Sequence, residues 1–164
     1  EVQIGPRTLA AYHTRGHADH HLCLWDEQSR GWFTGDTFGI CYPHMQTGTW
    51  PFALPATTPT QFLPARYQES IDIIAATKPQ WIYPTHYGRV AFDARTAQSL
   101  KQQIGAYGKI ADIDLASEQL QGITLHALSQ VVSEQEAQTI VQKLSQDLAL
   151  NAQGVVHRLA NQVS

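Results

Sequence analysis

The chain has 164 residues, enough for one domain with its own core or for half of a larger domain. Its 43% of hydrophobic residues, 15% of charged residues and net charge of −3 indicate a folded globular protein without a basic surface, so no nucleic-acid partner is expected. No apolar run approaches the roughly 20 residues that cross a bilayer, so no membrane contact is expected. The two cysteines do not form a Cys-x-x-Cys motif and favour a cytoplasmic location.

The first part of the chain predicts short strands separated by polar turns. Residues 8–13 and 22–25 predict two strands, and residues 31–35 predict a third that forms a hairpin with the second. Residues 38–60 contain four prolines and two glycines and predict a long irregular loop. Loops of this length inside a compact domain often line a functional site.

The second part predicts mainly helices. A helix is expected over residues 64–78, a buried strand over 81–83, and a helix over 93–107 with Asp93 as its N-cap. Residues 109–128 are ambiguous, and a helix followed by a connection is one interpretation. Ser133 and Glu136 form a capping box for a helix to about residue 148, and a last helix is expected from about 151 to 163. We therefore divide the chain into a β-rich part, residues 1–108, and a helical extension, residues 109–164.

Histidines are concentrated near the beginning of the chain. Five of the eight lie in the first 44 residues, and four of these, His13, His17, His20 and His21, fall within nine residues. A single histidine is usually a structural or surface residue, but neutral imidazole is also the commonest metal ligand. The cluster therefore indicates a metal site.

Three predicted strands each lead into a side chain that can bind a metal. His17 follows the first strand, Asp36 follows residues 31–35, and His86 follows residues 81–83. Side chains at the ends of neighbouring strands lie along one edge of the sheet, and this rigid edge can bring them together around a metal. Two imidazoles and a carboxylate are a suitable ligand set for catalytic zinc, which keeps one coordination position for water. The metal would convert that water to hydroxide near neutral pH. Non-haem iron oxygenases use the same ligand types, so the ligands alone do not choose the metal.

These motifs, taken in order, resemble those of the metallo-β-lactamase superfamily, and of its glyoxalase-II-like branch in particular. The stretch Thr14-Arg-Gly-His17, with His21 four residues later, is similar to the family's third histidine motif. Thr34-Gly-Asp36-Thr is similar to the motif of the metal-bridging aspartate. Pro84-Thr-His86 is similar to the last histidine motif, with threonine where glycine is common. The resemblance covers roughly residues 6–92.

The resemblance implies an α/β (α+β) fold, namely half of an αββα sandwich followed by the helical extension. It also implies a hydrolase with two divalent metals, zinc or alternatively iron or manganese. His17 would bind the first metal, His86 the second, and Asp36, the catalytic carboxylate, would bridge them. A metal-activated hydroxide would attack an ester, thioester, lactone or similar bond of a small-molecule substrate.

One family motif is missing from this sequence. No His-x-His-x-Asp-His stretch occurs, so four of the seven usual ligands are absent from the chain. Because the sequence begins at Glu1 within an apparent strand, we expect it to be the C-terminal half of the domain. Alone, it should bind metal weakly and turn over no substrate.

Other residues carry weaker expectations. Six of them would orient the ligands or line the pocket, with packing or solvation as the alternative: His13, Asp19, His20, His21, Tyr42 and Arg89. The helical extension would cover the entrance of the substrate pocket, pack over the core or form the contact of a homodimer. Two other functions stay open, an iron-bearing redox protein of the same fold and a non-catalytic assembly module.

Overall fold

The computed structural model describes residues 1–58, 60–86 and 88–162. Within them, six strands form one mixed sheet and five α-helices follow or interrupt it. The strands are β1 (Val2–Ile4), β2 (Arg7–His13), β3 (Leu22–Asp26), β4 (Gly31–Gly35), β5 (Trp81–Pro84) and β6 (Val90–Ala91). The helices are α1 (Pro64–Ala76), α2 (Ala94–Lys109), α3 (Ala116–Leu128), α4 (Glu134–Lys143) and α5 (Ser145–Gln162). The predicted α/β class is confirmed.

The sheet places three strand ends at one edge. Its strands lie in sequence order, and all neighbours are antiparallel except β4 and β5, which are parallel. Since β2 and β4 both run antiparallel to β3, the strands β2, β4 and β5 share one direction. Their carboxyl ends therefore meet at the same edge. The connection from β4 to β5 contains the long loop and α1, as a parallel pairing requires.

One sheet face packs into the core and the other remains open. Cys23, Trp32 and Ile82 are fully buried on the first face, in one apolar cluster with side chains of α1 and α2. On the second face Phe33 is 42% exposed and stacks on Tyr83 with ring centroids 4.7 Å apart. A sheet with one apolar face open is what half of a two-sheet sandwich would present.

The helical extension shares the core of the β-rich part. Buried side chains of α3, α4 and α5 belong to the same apolar cluster as the sheet. Asn151 of α5 binds the long loop, since its Oδ1 accepts from the Thr57 backbone N–H at 2.9 Å and its Nδ2 donates to the Pro55 carbonyl at 2.7 Å. The division at residue 108 stays a prediction. None of the helices in the described ranges is long and apolar enough to cross a membrane.

The helical extension differs from the sequence prediction at the start of α3 and at the break between α4 and α5. In residues 109–128 the connection comes first and the helix second, since α3 begins at Ala116. The capping-box helix ends at Lys143, and α5 begins at Ser145 where one continuous helix had been expected to residue 148. Leu144 and Leu148 are both fully buried, so the apolar pattern continues across the break and hides it. Val163, the expected end of the last helix, lies outside the described residues.

The long loop is irregular, as predicted, apart from one short 3₁₀ turn at Pro43–Met45 and an isolated bridge between Ile40 and Leu54. Phe52 and Leu54 are fully buried, which fixes the loop against the core. Pro59, within the predicted loop, lies outside the described residues.

Candidate metal centre

The three sequence-predicted ligands meet at the edge formed by the ends of β2, β4 and β5. Asp36 directly follows β4, His86 lies two residues beyond β5, and His17 lies between β2 and β3. The Asp36 carboxylate occupies the middle of the group. Its Oδ2 lies 3.7 Å from His17 Nε2 and its Oδ1 lies 3.3 Å from His86 Nε2. Each imidazole therefore faces a different oxygen of the same carboxylate.

Access to the centre differs between its two sides. The His17 side chain is 14% exposed, whereas that of His86 is 44% exposed. Asp36 Oδ1 is buried and accepts no hydrogen bond from the described residues. A buried carboxylate oxygen without a donor is costly unless a cation satisfies it. The centre is therefore open to solvent on the His86 side, and a cation beside Asp36 would satisfy its Oδ1.

His17 is held in one orientation by the long loop. Its Nδ1 lies 2.7 Å from the Ala56 carbonyl oxygen, which can only accept, so Nδ1 carries the hydrogen. In the neutral ring, Nε2 then directs its lone pair towards Asp36 Oδ2. A backbone carbonyl on the second imidazole nitrogen is the usual device that fixes a metal-binding histidine.

His21 orients Asp36 and does not face its carboxylate. Its Nε2 accepts from the Asp36 backbone N–H at 3.4 Å, and its Nδ1 lies 2.9 Å from the Thr37 hydroxyl. Burial lowers the pKa of His21, and the neighbouring His17 acts in the same direction, so the ring stays neutral near pH 7. This contact needs Gly35, which has φ +52° and whose Cβ, if present, would lie 2.5 Å from His21 Nε2.

Tyr67 is a site residue that sequence reasoning missed. The sequence predicts only a helix over residues 64–78, on which Tyr67 is fully buried. Its hydroxyl donates to the Asp36 backbone carbonyl at 2.9 Å. Burial raises the pKa of Tyr67 well above its usual range, so the hydroxyl stays protonated. The available signal was that a buried tyrosine normally needs a partner for its hydroxyl.

Tyr42 is brought to the centre. Its ring stacks on His44 with centroids 5.4 Å apart and lies 6.3 Å from the ring of His86. The 3₁₀ turn at Pro43–Met45 holds this pair beside the solvent-facing side of the site.

The remaining sequence-predicted residues make other contacts. His13 Nε2 lies 2.6 Å from the Asp19 carbonyl oxygen, and the Asp19 carboxylate pairs with Arg15. His20 is exposed. The Arg89 guanidinium lies over the Trp81 ring, 4.0 Å from its centroid, at the opposite end of β5 from His86. The structure does not bring His13, Asp19 or Arg89 against the carboxylate of Asp36.

The pairs Asp36–His17 and Asp36–His86 form two candidate half-sites, and the second has the closer spacing, 3.3 Å against 3.7 Å. Across residues 1–58, 60–86 and 88–162, no three His, Cys, Asp or Glu side chains are arranged to hold one metal ion. Two ligands at about 2.0–2.1 Å from a tetrahedral ion lie about 3.3–3.4 Å apart, and the 3.3 Å between Asp36 and His86 matches this separation. Each half-site supplies two ligands, so each needs donors from elsewhere to reach the three or four that zinc takes.

Comparisons with known proteins agree with this architecture. The sequence model of the family described as the metallo-beta-lactamase superfamily matches residues 1–86. A metallo-beta-lactamase family protein from Thermus thermophilus is similar in structure, with a TM-score of 0.54 and 17% identity over 99% of this chain and 47% of that one. An archaeal metallo-beta-lactamase superfamily protein from Sulfolobus tokodaii has a TM-score of 0.49 and 24% identity over 79% of this chain and 48% of that one.

The chain thus spans about half the length of the solved structures that it resembles. A search of curated proteins found no match. The superfamily consists mostly of hydrolytic enzymes that bind divalent metals. The family model matches just over half of the chain. The mixed sheet and flanking helices of the chain have the same fold as the Thermus thermophilus protein. This chain belongs to the metallo-beta-lactamase superfamily.

Proposed function

We propose that the protein carrying this chain is a metal-dependent hydrolase in which His17, Asp36 and His86 are metal ligands. The observation that supports this most directly is the carboxylate of Asp36 between two imidazole Nε2 atoms, at 3.7 Å and 3.3 Å. Imidazole nitrogens and carboxylate oxygens are ligand types that a divalent metal binds. A cation bound on each side of Asp36 would stabilise the whole group.

The chemistry of such a centre is hydrolytic. A divalent metal supplies Lewis acidity and lowers the pKa of water to about 7. Asp36 would hold both half-sites at a fixed separation, while the Ala56 carbonyl fixes His17 and His21 fixes the backbone of Asp36. The open side next to His86 gives a small substrate its approach. We place the protein in the glyoxalase-II-like branch on its motifs, with zinc as the metal and an ester, thioester or lactone as the bond cleaved.

The geometry gives less support to an iron-bearing redox protein of the same fold. A mononuclear iron site needs its two histidines and its carboxylate around one ion. His17 and His86 instead face different oxygens of Asp36. Metal analysis and visible absorption of the purified protein separate the two functions.

The proposal is tested by metal binding and hydrolysis in the full-length protein. Zinc affinity is measured by competition with a chromophoric chelator, and hydrolysis is measured on a panel of thioesters, lactones and esters. Asp36→Asn should weaken zinc binding by at least tenfold and abolish hydrolysis, since it removes the shared anionic ligand. Asp72→Asn, the same change at an exposed carboxylate on α1, is the matched control and should leave both unchanged. A wild-type protein that binds no metal would overturn the proposal, as would an Asp36→Asn variant with wild-type affinity.

A further inference from the structure

We propose that Tyr67 is a positioning residue that holds both metal-ligand segments through one hydroxyl group. The inference rests on the proposed function, because it concerns the same ligands. Tyr67 touches neither the Asp36 carboxylate nor a substrate, and it acts through the backbone atoms that it binds.

The hydroxyl of Tyr67 connects the two segments directly. It donates to the Asp36 carbonyl at 2.9 Å and accepts from the Ala56 backbone N–H at 3.4 Å. The Ala56 carbonyl in turn accepts from His17 Nδ1 at 2.7 Å. One side chain of α1 therefore contacts the residue that carries the shared carboxylate and the residue that orients His17. The ring itself lies edge-on to His17, with centroids 6.5 Å apart.

Two hydrogen bonds join the first half of α1 to the loop that carries His17. The Leu63 N–H donates to the Gly16 carbonyl at 2.9 Å, and the Ser70 hydroxyl donates to the Arg15 carbonyl at 2.7 Å. Both acceptors precede His17 in the same loop. Gly16 permits this approach, since a Cβ there would lie 2.2 Å from the Tyr67 backbone nitrogen. The hydroxyl is thus presented from a rigid element to two loop segments, which is the arrangement that precise sites require.

Loss of the Tyr67 hydroxyl should make the metal site less ordered while the chain stays folded. The Asp36 carbonyl also accepts from the Gly39 N–H at 3.0 Å, so the turn after β4 keeps one hydrogen bond. The Ala56 N–H, by contrast, loses the hydroxyl that it binds, and the Ala56 carbonyl can then move relative to His17. The expected consequence is a less defined His17 orientation and a weaker metal site.

Tyr67→Phe tests the proposal against Tyr107→Phe in the full-length protein. Tyr107 is also fully buried, and its hydroxyl lies 3.0 Å from Thr124 Oγ1 in the helical extension, so its variant loses a comparable hydroxyl contact elsewhere. Tyr67→Phe should weaken cobalt or zinc binding by about 10- to 100-fold and alter the visible spectrum of bound cobalt. Tyr107→Phe should leave the metal affinity within about twofold of wild type, because its hydroxyl contacts Thr124 and Asn151, and Asn151 binds Thr57 and Pro55 rather than Ala56.

A second measurement works without metal. The ¹⁵N shifts of the His17 ring at pH 8 should report a single Nδ1–H tautomer in the metal-free wild type. In Tyr67→Phe the Nε2–H tautomer should become populated, and in Tyr107→Phe it should not. The wild type alone gives a further check, because the Tyr67 hydroxyl proton should exchange slowly and show a coupling to the Asp36 carbonyl carbon.

The outcomes separate this proposal from the proposed function. Wild-type protein that binds no metal overturns the function, and the tautomer measurement still decides the role of Tyr67. Metal binding by the wild type together with unchanged affinity and tautomer in Tyr67→Phe overturns the role of Tyr67 and leaves the function intact. A rapidly exchanging Tyr67 hydroxyl in the wild type counts against the role even if the variant does not fold.

Discussion

The phenol of Tyr42 donates a hydrogen bond of 2.9 Å to Asp147 Oδ1, across 105 residues of sequence. Tyr42 lies in the loop after Asp36, beside His86, and Asp147 lies in the first turn of α5. The helical extension therefore contacts the rim of the candidate metal centre through a charged hydrogen bond. This contact couples the position of α5 to that of the Tyr42 ring.

A double-mutant cycle should reveal this link. Tyr42→Phe and Asp147→Ala should each lower the free energy of unfolding by about 1–3 kcal/mol, since the bond involves a charged acceptor. Because both remove the same bond, the loss in the double variant should be smaller than the sum by at least about 0.5 kcal/mol. Urea unfolding gives the free energy of unfolding of the wild type, the two single variants and the double variant. The cycle cancels the interaction of Asp147 with the helix dipole. Additive losses would mean that the two side chains do not interact in solution.

A substitution at Gly35 should disturb His21. Gly35→Ala places an L side chain at φ +52° and a methyl group 2.5 Å from His21 Nε2. Gly5→Ala is the matched control, because Gly5 has φ +57° with nothing within 4 Å of its added methyl group. The control should cost about 1–2 kcal/mol for the left-handed backbone alone. Gly35→Ala should cost at least about 1 kcal/mol more, measured by chemical denaturation. Equal losses would show that His21 moves aside freely.

The strand ends and the candidate ligands beyond them were predictable because both depend on local pattern. Residues 31–35 and 81–83 are short apolar runs that end at glycine or proline, and a candidate ligand follows each. The partner of the Tyr67 hydroxyl was not predictable, because it is a backbone carbonyl 31 residues away whose position depends on the completed fold. The break between α4 and α5 was hidden because Leu144 and Leu148 keep the apolar spacing across it. Arg89 was expected to line the pocket, but its guanidinium lies over the Trp81 ring, at the opposite end of β5 from His86.

Both cysteine thiols should be unreactive in the folded protein. Burial raises the pKa of Cys23 to about 11 and that of Cys41 to about 12, and both residues are buried. Thiolate is the reactive form, so neither should react at pH 8. Ellman's reagent should react with neither cysteine under native conditions and with both cysteines after denaturation in guanidinium. Rapid native labelling of one thiol would show that its part of the core opens readily, and mass spectrometry of the labelled peptide would identify it.

Asp26 should make the stability of the chain depend on pH. Its carboxylate accepts from the Ser29 hydroxyl at 2.7 Å, the Gln28 N–H at 3.1 Å and Arg7 at 2.8 Å. The Ser29 hydrogen bond, followed by the charge of Arg7 and the backbone donors, lowers the pKa of Asp26. The folded state therefore favours the charged form. This stabilisation is complete above the unfolded pKa of about 3.9 and is lost as the pH falls through the lower folded pKa.

Asp26→Asn should lower the free energy of unfolding by about 1–3 kcal/mol at pH 7, because the amide gives up the charge that Arg7 and Ser29 stabilise. The difference from wild type should shrink as the pH is lowered from 5 towards 2, where the wild-type carboxyl is itself protonated. Urea unfolding at several pH values measures this, and Asp72→Asn serves as the control. Asp72 pairs with Lys101 at the surface, so its loss should cost only about 0–1 kcal/mol. A difference for Asp26→Asn that stays constant down to pH 2 would mean that the hairpin turn depends on the shape of the side chain and not on its charge.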